Sequence, residues 1–148
     1  MKRIFSTRVG PAVMVIFLAN LFLAGCGAKL QEADVAYARP ILDNIIEAIR
    51  ERDYGKFSKD FSEKMKAGLP EKDFDELAAK MDRDLGEYEE RNFTSAVRAI
   101  NPAVDLMIVK YRAKYANDGN VIITIYFSDI NGEKRIEGIL FDSPSLHE

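Results

Sequence analysis

The chain has 148 residues, 47% of them hydrophobic and 30% charged, with one Cys and one His. That accommodates one globular domain and excludes collagen-like sequence, a disulfide scaffold and a classical zinc finger. The first 25 residues hold Lys2, Arg3 and Arg8 and no acid, so the formal net charge of −3 for the whole chain becomes about −6 from Cys26 onward. A mildly acidic body without a basic stripe argues against nucleic acid as a partner, because phosphate binding needs clustered Lys and Arg.

Met1 to Arg8 is short and basic, and Ala12 to Leu23 is apolar apart from Asn20. A run of that length, rising about 1.5 Å per residue, falls well short of the roughly 30 Å bilayer core. The basic, apolar and small-residue succession instead matches a secretory signal peptide. Its exit, Leu23-Ala24-Gly25-Cys26, resembles the bacterial lipoprotein signal. The resemblance implies that residues 1–25 are removed and that Cys26 is acylated and becomes the first residue. The protein is then held to a lipid bilayer as an anchored, not a spanning, protein. Gly27, where an Asp would retain the protein at the inner membrane, implies the periplasmic side of the outer membrane in a diderm bacterium. In any other bacterium the same signal implies the outer face of the cytoplasmic membrane.

Residues 26–33 are expected to be the lipidated Cys and a tether, 34–142 the folded domain and 143–148 a tail. The spacing of Leu42, Ile45, Ile46 and Ile49 predicts a helix over 34–52, kinked at or beginning near Pro40. After a turn at Arg52-Asp53-Tyr54-Gly55, Phe57, Phe61 and Met65 predict a second, shorter helix. Gly68-Leu69-Pro70 breaks it, and Phe74, Leu77, Ala78, Met81 and Leu85 mark a third, ended by Gly86. The acids Glu71, Asp73, Asp75 and Glu76 sit where the macrodipole favours negative charge and are read as a helix start, with no metal.

From Tyr88 the period changes to 2, predicting strands at 88–100, 104–116, 120–128 and 133–142. Asn117-Asp118-Gly119 and Asn131-Gly132 are hairpin signals, since Asp-Gly and Asn-Gly accept the positive φ of tight turns. Helices followed by antiparallel strands give the α+β class, with the helices on one face of a curved sheet.

Glu51-Arg52-Asp53-Tyr54-Gly55-Lys56-Phe57, Asp84-Leu85-Gly86-Glu87-Tyr88 and the terminal hairpin from Phe127 to Gly138 resemble the nuclear transport factor 2-like superfamily. Within it, the chain is most similar to the domain of unknown function 3887 group of small exported bacterial domains. The resemblance covers about residues 34–142 and implies a cone, in which a bent, cystatin-like sheet wraps a long helix and leaves a pocket. It makes Tyr88, Met107, Tyr111, Ile125 and Phe127 candidates for lining that pocket. Superfamily members also dimerise through the outer sheet face, for which Leu106, Ile108, Ile122, Tyr126, Ile139 and Phe141 are candidates. An ordinary amphipathic outer face is the alternative.

Enzymes of the superfamily, such as ketosteroid isomerase and scytalone dehydratase, place an Asp, Tyr or His in the cone to move protons. His147, the penultimate residue, falls in the tail after Pro144 and supplies no base. Asp105 and Tyr111 are left as catalytic candidates, with Tyr88 and Tyr126 as further phenols. Asn92-Phe93-Thr94 matches a glycosylation sequon and is read as coincidence. No phosphate loop, Cys pair or nucleophile elbow occurs, and no cofactor is expected. The expectation is a lipid-anchored cell-envelope module that binds a small hydrophobic ligand or a protein without catalysis. Two alternatives stay open: an acid–base enzyme acting on a hydrophobic molecule in the cone, and a homodimeric structural module without ligand.

Overall fold

The computed structural model describes residues 29–146. The signal segment, Cys26, Gly27 and His147 lie outside the described residues. A 3-10 turn at Glu32–Val35 leads into α1 (Ala38–Glu51), α2 (Tyr54–Phe57), α3 (Glu63–Gly68) and α4 (Glu71–Asp84). The strands β1 (Tyr88–Asn101), β2 (Val104–Tyr115), β3 (Val121–Ile130) and β4 (Glu133–Asp142) follow. The strands pair antiparallel in the order β1-β2-β3-β4, an open meander and not a barrel. The α+β reading holds. Among the described residues no helix is long and apolar enough to cross a membrane.

Pro40 occupies the first turn of α1, where its missing N–H needs no partner, so the regular helix begins at Ala38 and not at 34. Arg52 ends α1 in the left-handed region at φ 58°, and Asp53 then accepts the Lys56 amide at 2.9 Å to start α2. The single helix expected around Phe57, Phe61 and Met65 is two. Ser62 caps α3 by accepting the Met65 amide at 3.1 Å, and Phe61 lies between the two helices.

Both edges of the sheet are occupied at one point each. Leu30 bridges Ala96 of β1 antiparallel, and Phe61 bridges Ile136 of β4 parallel, with Ser62 N donating to Ile136 O at 3.0 Å. Short pairings of this kind blunt edges that would otherwise invite another chain. Phe57, Phe61 and Phe74 pack together under the helices, and Tyr111, Ile123, Ile125, Phe127 and Ile136 meet them from the sheet.

Two hairpin expectations part company. Asn131 and Gly132 both take positive φ, 56° and 82°, the signature of a two-residue primed turn. Gly119 does not take positive φ. There the chain makes a longer loop in which Tyr115 N donates to Asp118 O at 2.8 Å. The Asp118 carboxylate accepts from Ser143 and Ser145, so residues 143–146 close against this loop, with Ser143 fully buried, and do not form a loose tail.

β4 contains the principal correction. Tyr126 faces Gly138 but Phe127 faces Ile136, so Glu137 is an extra residue, a bulge that inverts the alternation beyond it. Phe141 therefore points into the core, only 8% exposed, and Ile139 packs against the core from the same face. Neither belongs to the outer sheet face assigned to them by alternation. Leu140, 50% exposed, takes that place. The bulge is held by Ser128 and Ser62, whose hydroxyls donate to the Glu137 carboxylate at 2.7 and 3.0 Å.

Candidate functional site

A half-open groove of about 670 Å³ runs between α1, α4 and the sheet end where β1 starts and β2 stops. Its apolar floor is made by Ile46 and Ile49 of α1, Ala78 and Met81 of α4, and the rings of Tyr88 and Tyr115. Those rings meet edge to face, 5.5 Å apart. The helix spacing explains the groove. Ile46 and Ile49 lie three residues apart on α1, as do Ala78 and Met81 on α4, so each pair faces the space between the helices. Gly86, at φ 73°, turns the chain from α4 into β1 where an added Cβ would meet Asn117 at 3.1 Å and Ala116 at 3.3 Å. That close approach sets Tyr88 beside Tyr115.

The rim is charged. Asp43, Glu47, Asp82 and Glu87 stand beside Arg50 and Arg52, and Lys56 and Arg91 pair with Glu47 and Asp43 from outside the lining. Arg52 reaches Asp82 at 3.5 Å, and Lys56 reaches Glu47 at 2.6 Å, and that hydrogen bond holds the Glu47 carboxyl below its usual range. Burial pushes the Tyr115 phenol up, so it stays neutral and its ring forms an apolar wall.

Behind the groove, Arg91 is almost enclosed, its side chain 6% exposed. It donates to Asp43 at 2.5 Å, to Tyr88 Oη at 3.1 Å and to the Arg39 carbonyl at 3.3 Å, and its Cζ lies 5.7 Å from the Tyr111 ring centroid. Two polar atoms here are buried without a partner among the described residues, Arg91 Nε and Tyr111 Oη. A buried hydroxyl that makes no hydrogen bond opposes folding by about 1–3 kcal/mol. Tyr111→Phe is therefore expected to leave stability unchanged or raise it by about 1 kcal/mol in urea unfolding. A clear loss would show that the hydroxyl has a partner.

The sheet residues expected to line one pocket are divided. Tyr88 lines the groove. Met107 and Phe127 line a separate depression of about 190 Å³ at the other end of the sheet, with Tyr37, Arg98, Asp105 and Lys134. Tyr111 and Ile125 are fully buried and fill the space beneath α1. Asp105 is 57% exposed on its side chain and receives two bonds from Arg98, at 2.9 and 2.8 Å. The Arg98 hydrogen bonds hold its carboxyl below the usual aspartate range, which suits an ion pair and opposes proton pick-up near neutrality. Leu106, Ile108, Ile122 and Tyr126 do lie on the outer face, half-buried, in rows that include Val97 opposite Ile108. Among the described residues no group of three or more His, Cys, Asp or Glu is placed to hold a metal.

The groove floor was hidden in the helix stripes. Ile46 widens the apolar face of α1 beyond Leu42, Ile45 and Ile49, and a stripe wider than one neighbour needs is the signal that could have disclosed it.

Residues 43–139 match a family described as Protein of unknown function (DUF3887). The match spans both walls of the groove, the first three strands and most of β4. No curated protein matches the chain.

Proposed function

This chain belongs to the DUF3887 family, and we propose that it is a lipid-anchored cell-envelope module that binds a small amphipathic molecule in the α1–α4 groove without transforming it. The observation that carries this reading is the groove itself, whose volume of about 670 Å³ lies within the roughly 300–1,000 Å³ of ligand sites. An apolar floor under a rim of paired charges selects an apolar body with a polar end. The open meander under N-terminal helices supports kinship with the nuclear transport factor 2-like superfamily. The Leu23-Ala24-Gly25-Cys26 signal supports the anchor.

The binding reading is tested with N-phenyl-1-naphthylamine, an apolar fluorescent amine. The native protein is expected to bind it, and Ile46→Trp, which fills the groove from a half-buried position, is expected to weaken binding at least about tenfold, or about 1.4 kcal/mol. Failure of the native protein to bind the probe, or equal binding by the variant, removes the reading.

A further inference from the structure

The β1–β2 hairpin tip reads Ile100-Asn101-Pro102-Ala103-Val104, and every residue of it is exposed, Ile100 at 65% and Val104 at 37%. Asn101, its one polar side chain, is turned onto the tip's own backbone, accepting the Ala103 amide at 2.8 Å. A four-strand meander brings its first and third turns to the same end. The β3–β4 tip accordingly adds Ile130, 43% exposed. The charges beside these tips are paired with one another: Arg98 with Asp105, Lys134 with Asp129 and Arg135 with Glu133. This end of the sheet therefore presents apolar side chains among neutralised charges, an arrangement that marks an interaction surface and not a solvated tip.

A separate observation says what covers it. Leu30 pairs antiparallel with Ala96, so Lys29 lies on the Val97 side, toward Asn101. Cys26 precedes Leu30 by four residues, a reach of at most about 14 Å at about 3.6 Å per residue. Ala96 to Asn101 spans about 17 Å along the strand at about 3.4 Å per residue. A lipid on Cys26 is thus within reach of the end of the sheet that carries the exposed tip.

We propose that the hairpin tip Ile100–Val104, with Ile130 beside it, docks into the interfacial layer of the bilayer that holds the acylated Cys26, an inference that rests on the lipid-anchor reading. Docking there stands the sheet on its hairpin end. The groove, built where β1 starts and β2 stops, then lies at the end of the sheet far from the membrane. Burying apolar side chains at the headgroup boundary adds a second attachment to the lipid and fixes orientation, which a flexible tether alone does not.

The test uses the full lipidated protein in vesicles of phosphatidylethanolamine and phosphatidylglycerol, with a nitrobenzoxadiazole label at Ala103→Cys or, at the opposite end, at Gly119→Cys. Gly119 has open space around it and serves as the distant reference. Nitroxide-bearing lipid is expected to quench the label at 103 at least about threefold more than the label at 119, with a blue-shifted emission at 103 only. Equal, weak quenching at both positions in protein that floats with the vesicles overturns the docking and leaves the anchor standing. Self-quenching at 103 without quenching by lipid assigns the tip to a second copy of the chain and likewise overturns it. Flotation of Cys26→Ser protein equal to native, with equal, weak quenching at both positions, overturns the anchor reading and the docking together.

Discussion

Phe74→Ala is expected to lower the unfolding free energy by about 4 kcal/mol, the middle of the range for truncating a buried aromatic. Phe74 is fully buried on the inner face of α4, its ring 4.5 Å from that of Phe57 and 5.7 Å from that of Tyr54. Phe57 in turn lies 5.0 Å from Phe61, whose backbone bridges β4 at Ile136. One ring thus joins α4 to α2 and, through Phe61, to an edge of the sheet. Removing it opens a cavity among rigid neighbours that collapse incompletely, so the lost transfer energy and the void both count. Domains of this size are stable by only about 5–15 kcal/mol, so the variant should melt many degrees lower and show raised proteolysis. Phe74→Leu keeps most of the volume and should cost less than half as much. Chemical denaturation of the two variants side by side checks both numbers. A loss below about 1 kcal/mol for Phe74→Ala would mean that the cluster is not the junction described here.

Asp43→Ala is expected to cost about 2 kcal/mol, whereas Arg91→Met should change stability by less than about 1 kcal/mol in either direction. The two residues form one ion pair at 2.5 Å, but they sit in different surroundings: Asp43 is 57% exposed and Arg91 6%. Deleting the carboxylate leaves a guanidinium enclosed against Tyr111 with a carbonyl, a phenol and no counter-charge. A fully buried pair would lose about 3–5 kcal/mol, and the exposure of Asp43 reduces that through solvent screening. Replacing Arg91 by Met removes the buried charge and its unpartnered Nε while an apolar chain of similar length fills the space, and Asp43 returns to water. Equal losses from the two substitutions would contradict this asymmetry. Because Asp43 and Tyr88 also line the groove, Arg91→Met separates fold from binding: stability stays, and probe affinity reports whether the pair positions the wall.

Punctuation residues carried most of the chain's organisation. Arg52-Asp53 ends α1 through a left-handed residue and starts α2 through a side-chain cap, Gly86 turns α4 into β1, and Asn131-Gly132 makes a primed turn. Each acts over three or four residues, so each is readable locally. Asp118-Gly119 carried the same signal and was misleading, because Asp118 is engaged by Ser143 and Ser145, some 25 residues away, and the loop follows those bonds. The break between the Phe57 and Met65 helices was equally invisible, since Phe61 lies between them and pairs with Ile136 on a strand far along the chain.

The sequence by itself determined the succession of helices followed by four strands, the α+β class and the faces of β2 and β3, because hydrophobic period and turn chemistry are properties of neighbouring residues. Tertiary structure decided the rest. The bulge at Glu137 exists because hydroxyls from Ser62 and Ser128 converge on its carboxylate, and one extra residue there sends Ile139 and Phe141 inward and Leu140 out. Likewise the groove is the space left between α1 and α4 over the sheet end where β1 starts and β2 stops. The side chains of its floor come from four elements, and no local pattern in a chain specifies a gap between distant parts of it.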